Sequence, residues 1–147
     1  MLAVLVTGMF MALLDVTIVN VALPTIGRSL HASGAALQLV VSGYVVSYAM
    51  LLITGARLGD LLGHRNLYLA GLGAFTLASL ACGLAPTTAA LIGARILQGA
   101  GAALMVPQTL SVIQHRFDGP ARARALSIYA TALASGAVVG LVLGGVL

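Results

Sequence analysis

Charge is scarce in this sequence. Only 7% of its 147 residues are charged, and lysine and glutamate are absent altogether, leaving seven arginines and three aspartates. With 61% hydrophobic residues and a mean hydropathy of +1.12, that scarcity excludes an ordinary soluble globular domain and points to an integral membrane protein. Cysteine is nearly missing too. A lone Cys82 cannot make an internal disulfide or a cysteine-based metal site, and it reads as a small apolar filler. Three scattered aspartates and three loop histidines offer no metal or nucleophile constellation, so no enzyme is expected. The formal charge of +4 comes almost wholly from arginines in short links, which make no continuous basic patch, so nucleic acid is not an expected partner.

The alternating ten-residue segments of a membrane barrel are also absent, which leaves helices as the spanning elements. Apolar runs broken by Pro, Gly or charge predict five of them, at about 2–23, 37–56, 67–85, 88–113 and 123–147. The expected class is therefore an all-α integral membrane protein with five transmembrane helices. The first run lacks a basic leader and an Ala-x-Ala cleavage site, and it continues through Asp15 to Leu23, so it reads as a span and not a signal peptide. Its apolar residues begin at position 2, and the chain is expected to be trimmed at its start. Residues 24–36 read as the longest loop, Leu58 to Asn66 and Gln114 to Arg122 as short charged links, and Pro86-Thr87 as a tight turn.

Arg57, Arg65, Arg116, Arg122 and Arg124 fall on one side of this topology and Arg28 alone on the other. Cytoplasmic loops carry the excess of basic residues, so the first helix is expected to run outward and the fourth inward. His64 and His115 share the inner links, where solvated histidines are the ordinary finding and a proton-linked switch the rarer one.

Two ionisable residues lie well inside apolar runs, Asp15 and Arg95. A charge at mid-membrane costs about 2.5 kcal/mol or more and usually faces a bundle interior or watery cavity. Asp15 precedes the outer end of its helix by nine residues and Arg95 follows the outer end of its own by eight. At about 1.5 Å per residue both lie roughly 12 to 14 Å deep, so they are expected to pair. The open alternative is separate satisfaction, Asp15 by Thr17 or backbone and Arg95 by Gln98 or helix carbonyls. Gln98 and Gly99 continue the arginine's helix face, followed by Ala102 and Ala103, while Pro107 removes one backbone hydrogen bond further along.

Gly136, Gly140 and Gly144 recur every four residues in the fifth run, with Gly145 beside the last, a groove suited to close helix packing. Tyr44 and Tyr48 lie one turn apart and read as core or pathway; Met9 and Met11 read as packing. The link from Arg57 to Arg65 holds Asp60 between arginines and two glycines, Gly59 and Gly63, where a carboxylate can cap a helical turn or latch a neighbouring arginine.

The stretch from Leu14 to Pro24, including Asp15 and Asn20, resembles the helix 1 signature of the fourteen-helix drug/proton antiporters of the major facilitator superfamily. Leu91, Arg95, Gln98, Gly99, Gly101 and Ala103 are similar to that superfamily's helix 4 motif. Leu58, Asp60, Gly63 and Arg65 resemble its loop 2-3 motif, with Ala56, Leu61 and His64 departing from it. The helix 5 glycines resemble the antiporter motif, with Leu141 in place of its proline. The resemblance covers the whole chain. It implies proton coupling and a substrate pathway at Asp15, Asn20, Arg95 and Gln98, conformational gating at Asp60, Gly63 and Arg65, and packing that limits leak at Gly136, Gly140, Gly144 and Gly145.

Family members are built from inverted three-helix repeats and are much longer, so the chain is expected to be part of the N-terminal six-helix half and inactive alone. The implied function is proton-driven efflux of hydrophobic or cationic small molecules by alternating access. The implied location is the plasma (inner) membrane. Expected partners are the small-molecule substrate, the lipid bilayer and the remaining helices of the full-length transporter; no cofactor is expected beyond the proton gradient. Uptake or transport of a different substrate class, or a non-transporting module that assembles through the glycines of helix 5, stands as the alternative.

Overall fold

A computed structural model describes residues 2–146, and every regular element among them is an α-helix: α1 (Leu2–Ser29), α2 (Gly34–Leu62), α3 (His64–Gly83), α4 (Thr88–Arg116) and α5 (Gly119–Val146). All five are long and apolar enough to cross a membrane. Even α3, the shortest at 20 residues, reaches about 30 Å at 1.5 Å per residue. Met1 and Leu147, the latter assigned by sequence to the fifth span, lie outside the described residues.

The helices extend past the apolar runs, and the links shrink. α1 continues through Pro24 to Ser29, where Arg28 donates from Nε to the Pro24 carbonyl at 3.3 Å. The loop expected over 24–36 is thus reduced to a short turn around His31 (φ 50°), and Ser33 caps α2 by accepting from the Ala36 amide at 3.3 Å. α2 runs to Leu62 instead of ending near residue 56. Gly63 alone separates it from α3, with φ 88° and ψ 127°, a backbone state that favours glycine. Asp60 and Arg65, read from sequence as loop residues, therefore lie on the last turn of α2 and the first turn of α3. Hydropathy missed this because polar residues at a helix end break an apolar run without breaking the helix. At the α4–α5 link only Phe117 and Asp118 are non-helical. Arg122 ties it down, donating from Nε to the Phe117 carbonyl at 2.9 Å and from one terminal nitrogen to the Gln114 carbonyl at 3.2 Å and the Asp118 carboxylate at 3.1 Å.

The chain divides into two compact units, one of Leu23–Gln108 and the other of Met1–Ala22 with Thr109–Leu147; α1 and α4 each pass from one to the other. In the first unit α4 packs against both α2 and α3, which also touch each other. Positions rise together along α2 and α4, Gly99 meeting Tyr44 and Gly55 meeting Ala103, so these helices run parallel. They run opposite ways along α3 and α4, Gly101 meeting Phe75 and Gly71 meeting Met105. Backbones touch at these crossings: a Cβ at Gly101 would fall 2.7 Å from the Phe75 nitrogen, and one at Gly71 would fall 2.8 Å from the Met105 nitrogen. Small residues permit such approach, and dispersion contacts then hold helices that gain nothing from hiding apolar surface from lipid.

In the second unit α5 lies parallel to the first part of α1. A Cβ at Gly136 would sit 2.8 Å from the Phe10 carbonyl oxygen, one at Gly140 2.7 Å from Thr17 Cβ, and one at Gly144 2.8 Å from Val21 Cβ. Gly145 meets nothing within 4 Å and stands apart from this face.

Candidate functional site

Arg95 is the centre of the first unit's polar interior. It is 2% exposed, with its guanidinium carbon 4.4 Å from the centroid of the Tyr44 ring, close enough for a cation–π contact. One terminal nitrogen donates to Gln98 Oε1 at 2.7 Å, and Nε donates to the Val40 carbonyl at 3.4 Å. Helix geometry explains the first of these contacts, since residues three apart share a face. Packing explains the other two: with no side chain at Gly99, α4 lies against the Tyr44 backbone and the Arg95 side chain meets α2. Gln98, fully buried, also accepts a weak hydrogen bond from the Cys82 thiol of α3 at 3.6 Å. Arg95 and Gln98 therefore join α2, α3 and α4 at one level. Tyr48 extends the cluster along α2, its ring parallel to Tyr44 within 3° and 6.4 Å away.

Asp15 belongs to the other unit, half-buried on α1. Its neighbour Thr17 donates its hydroxyl proton back to the Leu13 carbonyl at 2.8 Å, a common use of threonine within a helix. Asn20 lies exposed one turn further on. Arg95 thus has partners in Gln98 and in a carbonyl of α2, and the Thr17 hydroxyl bonds its own helix.

A second polar cluster occupies the α2–α3 junction. Gln108, fully buried on α4, donates from Nε2 to the Gly55 carbonyl at 2.8 Å, and its Oε1 lies 2.7 Å from His64 Nδ1. The other ring nitrogen of His64 is 3.6 Å from the Asp60 carboxylate. Gly59 makes the room, since a Cβ there would collide with the Gln108 side-chain oxygen and fall 2.8 Å from His64 Nδ1. Asp60 is therefore beside His64, while Arg65 is exposed on the first turn of α3. Sequence reading did not single out Gln108. Its one available signal was an uncharged amide inside an apolar run, on the same buried helix as Gln98.

The glycine face of α5 is covered by α1 through Phe10, Leu14, Thr17 and Val21, so it packs within the chain. Beside it, an open groove of about 370 Å³ is lined by Val6 of α1 and by Arg124, Ser127, Ile128, Thr131 and Ser135 of α5. Two of its hydroxyls bond their own helix, Thr131 to the Ser127 carbonyl at 2.9 Å and Ser135 to the Thr131 carbonyl at 2.8 Å.

Comparison with known proteins agrees with this architecture. The family model of the Major Facilitator Superfamily matches residues 5–147. The chain is 44% identical to the methylenomycin A resistance protein of Streptomyces coelicolor, over 97% of this chain and 30% of that protein. It is 43% identical to the cephamycin export protein CmcT of Amycolatopsis lactamdurans, over 95% and 29%, and 43% identical to the multidrug resistance protein Stp of Mycobacterium tuberculosis, over 95% and 26%. The chain thus spans between a quarter and a third of the length of these relatives.

Proposed function

We propose, from the premise that the chain belongs to the Major Facilitator Superfamily, that it forms part of the N-terminal half of a proton-coupled exporter of hydrophobic or cationic small molecules. The family is one of transporters and not of enzymes, and five apolar helices make the chain a multi-pass membrane protein. The plasma (inner) membrane is its proposed location. Relatives named for drug resistance and antibiotic export support the efflux reading.

The observation that carries the reading is the buried Arg95. A guanidinium held at 2% exposure inside a membrane-spanning helix is costly, and such residues are kept where charge does work on a substrate or a proton. Its bonds to Gln98 and Val40 and its position over Tyr44 leave it oriented and fixed in place. In the proposed cycle Asp15 and Arg95 attract one another in one conformation. An outside proton neutralises Asp15, weakens that attraction and biases a two-state rocking equilibrium, while substrate competes for the same cavity. Asp60, Gly63 and Arg65 gate the inner end, and the packing of Gly136, Gly140 and Gly144 on α1 keeps the bundle tight during the motion.

Asp15→Asn in the complete transporter tests this. Efflux driven by an imposed pH gradient in vesicles is expected to disappear while insertion and substrate binding persist; efflux at the parent rate would remove Asp15 from the coupling. Leu141, at the place of the motif's proline, keeps uptake open as the second reading, and the same vesicles decide it by the direction of substrate flow.

A further inference from the structure

We propose that the groove between α1 and α5 holds an anionic phospholipid of the surrounding membrane, its phosphate at Arg124 and one acyl chain lying along α5. The transport reading makes no use of this groove. Three features converge on that occupant, and the first is charge. Arg116, Arg122 and Arg124 flank the α4–α5 link, and the Asp118 carboxylate between them is held by Arg122 at 3.1 Å. Arg124 is exposed and lines the groove, and no carboxylate is among the described lining residues. A guanidinium near the end of a membrane-spanning helix, with no acid beside it in the groove, favours an anionic headgroup. Ser127, three residues on and on the same helix face, brings a hydroxyl to the same end.

The second feature is length. Arg124 lies on the second turn of α5, which begins at Gly119, so a long side chain there reaches headgroup level. From Arg124 to Ser135 the α5 side of the groove extends roughly 16 Å at about 1.5 Å per residue. One leaflet supplies about half of a hydrocarbon core roughly 30 Å thick. An acyl chain that starts at the arginine therefore meets the mid-plane where the groove ends. The third feature is the chemistry of the walls. Val6, Ile128 and Ala132 are apolar, while Thr131 and Ser135 donate their hydroxyl protons to carbonyls of their own helix at 2.9 and 2.8 Å. Those two donors are engaged within α5, so hydrocarbon can lie against them without stranding a polar hydrogen. The groove, of about 370 Å³, is open, so a chain enters it sideways from the bilayer.

Photolabelling of the complete transporter in lipid nanodiscs tests the site without requiring transport. Two sets of nanodiscs carry the same diazirine on the same acyl chain, one as phosphatidylglycerol and the other as phosphatidylcholine, and adducts are mapped by mass spectrometry of peptides. Labelling at the exposed Leu77 and Leu80 of α3 gives the reference ratio for lipid contact in general. Relative to that reference, adducts over residues 127–135 are expected to be roughly fivefold more abundant with phosphatidylglycerol, the effect of one arginine beside an anionic headgroup. Arg124→Gln is expected to bring the ratio down to the reference, and Arg124→Lys to keep most of the preference. Arg124 is exposed, so both variants are expected to fold as the parent does. No adducts over residues 127–135 with either lipid, as when another helix of the transporter or a substrate fills the groove, overturns the proposal. So does a ratio equal to the reference in the parent, or a preference that survives Arg124→Gln.

Discussion

The Arg95 guanidinium lies over the face of the Tyr44 ring, 4.4 Å from its centre, with both residues buried between α2 and α4. The ring face supplies negative potential where water cannot reach, so part of the cost of burying the cation is offset by the π system as well as by Gln98 and Val40. A desolvated cation–π contact is worth about 2 kcal/mol.

Tyr44→Leu should therefore destabilise the complete protein by about 2 kcal/mol and disorder the guanidinium, whereas Tyr44→Phe, which keeps the ring face, should stay within about 1 kcal/mol of the parent. Thermal unfolding in detergent reads the first effect. If the proposed function is right, drug resistance conferred on cells falls for the leucine variant and is largely kept by the phenylalanine one.

Glycines divide into those that touch backbone and those that face open space. At Gly99 an added methyl would collide with the Tyr44 carbonyl, and at Gly101 it would meet the Phe75 nitrogen at 2.7 Å; at Gly73 and Gly93 it would meet nothing within 4 Å. Gly99→Ala and Gly101→Ala are expected to force the helices apart at a cost of about 1–3 kcal/mol. Gly73→Ala and Gly93→Ala should raise stability by up to about 1 kcal/mol through helix propensity. Unfolding midpoints of the four variants, measured side by side, check the division.

These glycines also mark what was readable from the sequence. The number of helices and their centres followed from apolar runs, because lipid demands about 20 apolar residues whatever the packing. Arg95 and Gln98 could be singled out because a charge or amide inside such a run has to be satisfied. Helix ends could not: α2 continues through Arg57 and Asp60 to Leu62, where polar side chains emerge from lipid but the backbone stays helical. Nor could the partners across helices. That Gln108 reaches Gly55 and His64, or that Gly145 faces away while Gly144 packs on Val21, depends on helix rotation and crossing, which side-chain volume decides residue by residue.

Gln108 is expected to matter through what its loss strands. Gln108→Leu would leave the Gly55 carbonyl with its helix bond alone and His64 Nδ1 without its present partner, at about 1–3 kcal/mol for a polar group whose partner is removed. Gln108→Glu could still accept from His64 but, when ionised, could not donate to Gly55. Both variants should unfold earlier than the parent and lose hydrogen-exchange protection first at the α2–α3 junction, with the remainder of α3 following later.

The α1–α5 contact allows a sharper test, because two glycines five residues apart on one helix, Gly140 and Gly145, have opposite surroundings. Gly140 is buried, and a side chain there would press on Thr17 Cβ at 2.7 Å and on the Leu14 carbonyl oxygen at 2.9 Å, which are the far side of a packed backbone and cannot swing aside. Gly145 is exposed with no neighbour in reach. Gly140→Leu should separate α5 from α1 and destabilise the complete protein by about 1–3 kcal/mol or more, while Gly145→Leu should leave stability within about 0.5 kcal/mol. Since Asp15 sits between Leu14 and Thr17, separation at this point displaces the carboxylate as well. Unfolding midpoints of the two variants in detergent, measured side by side, read the difference. Equal midpoints would mean that α1 does not rest on the glycine face.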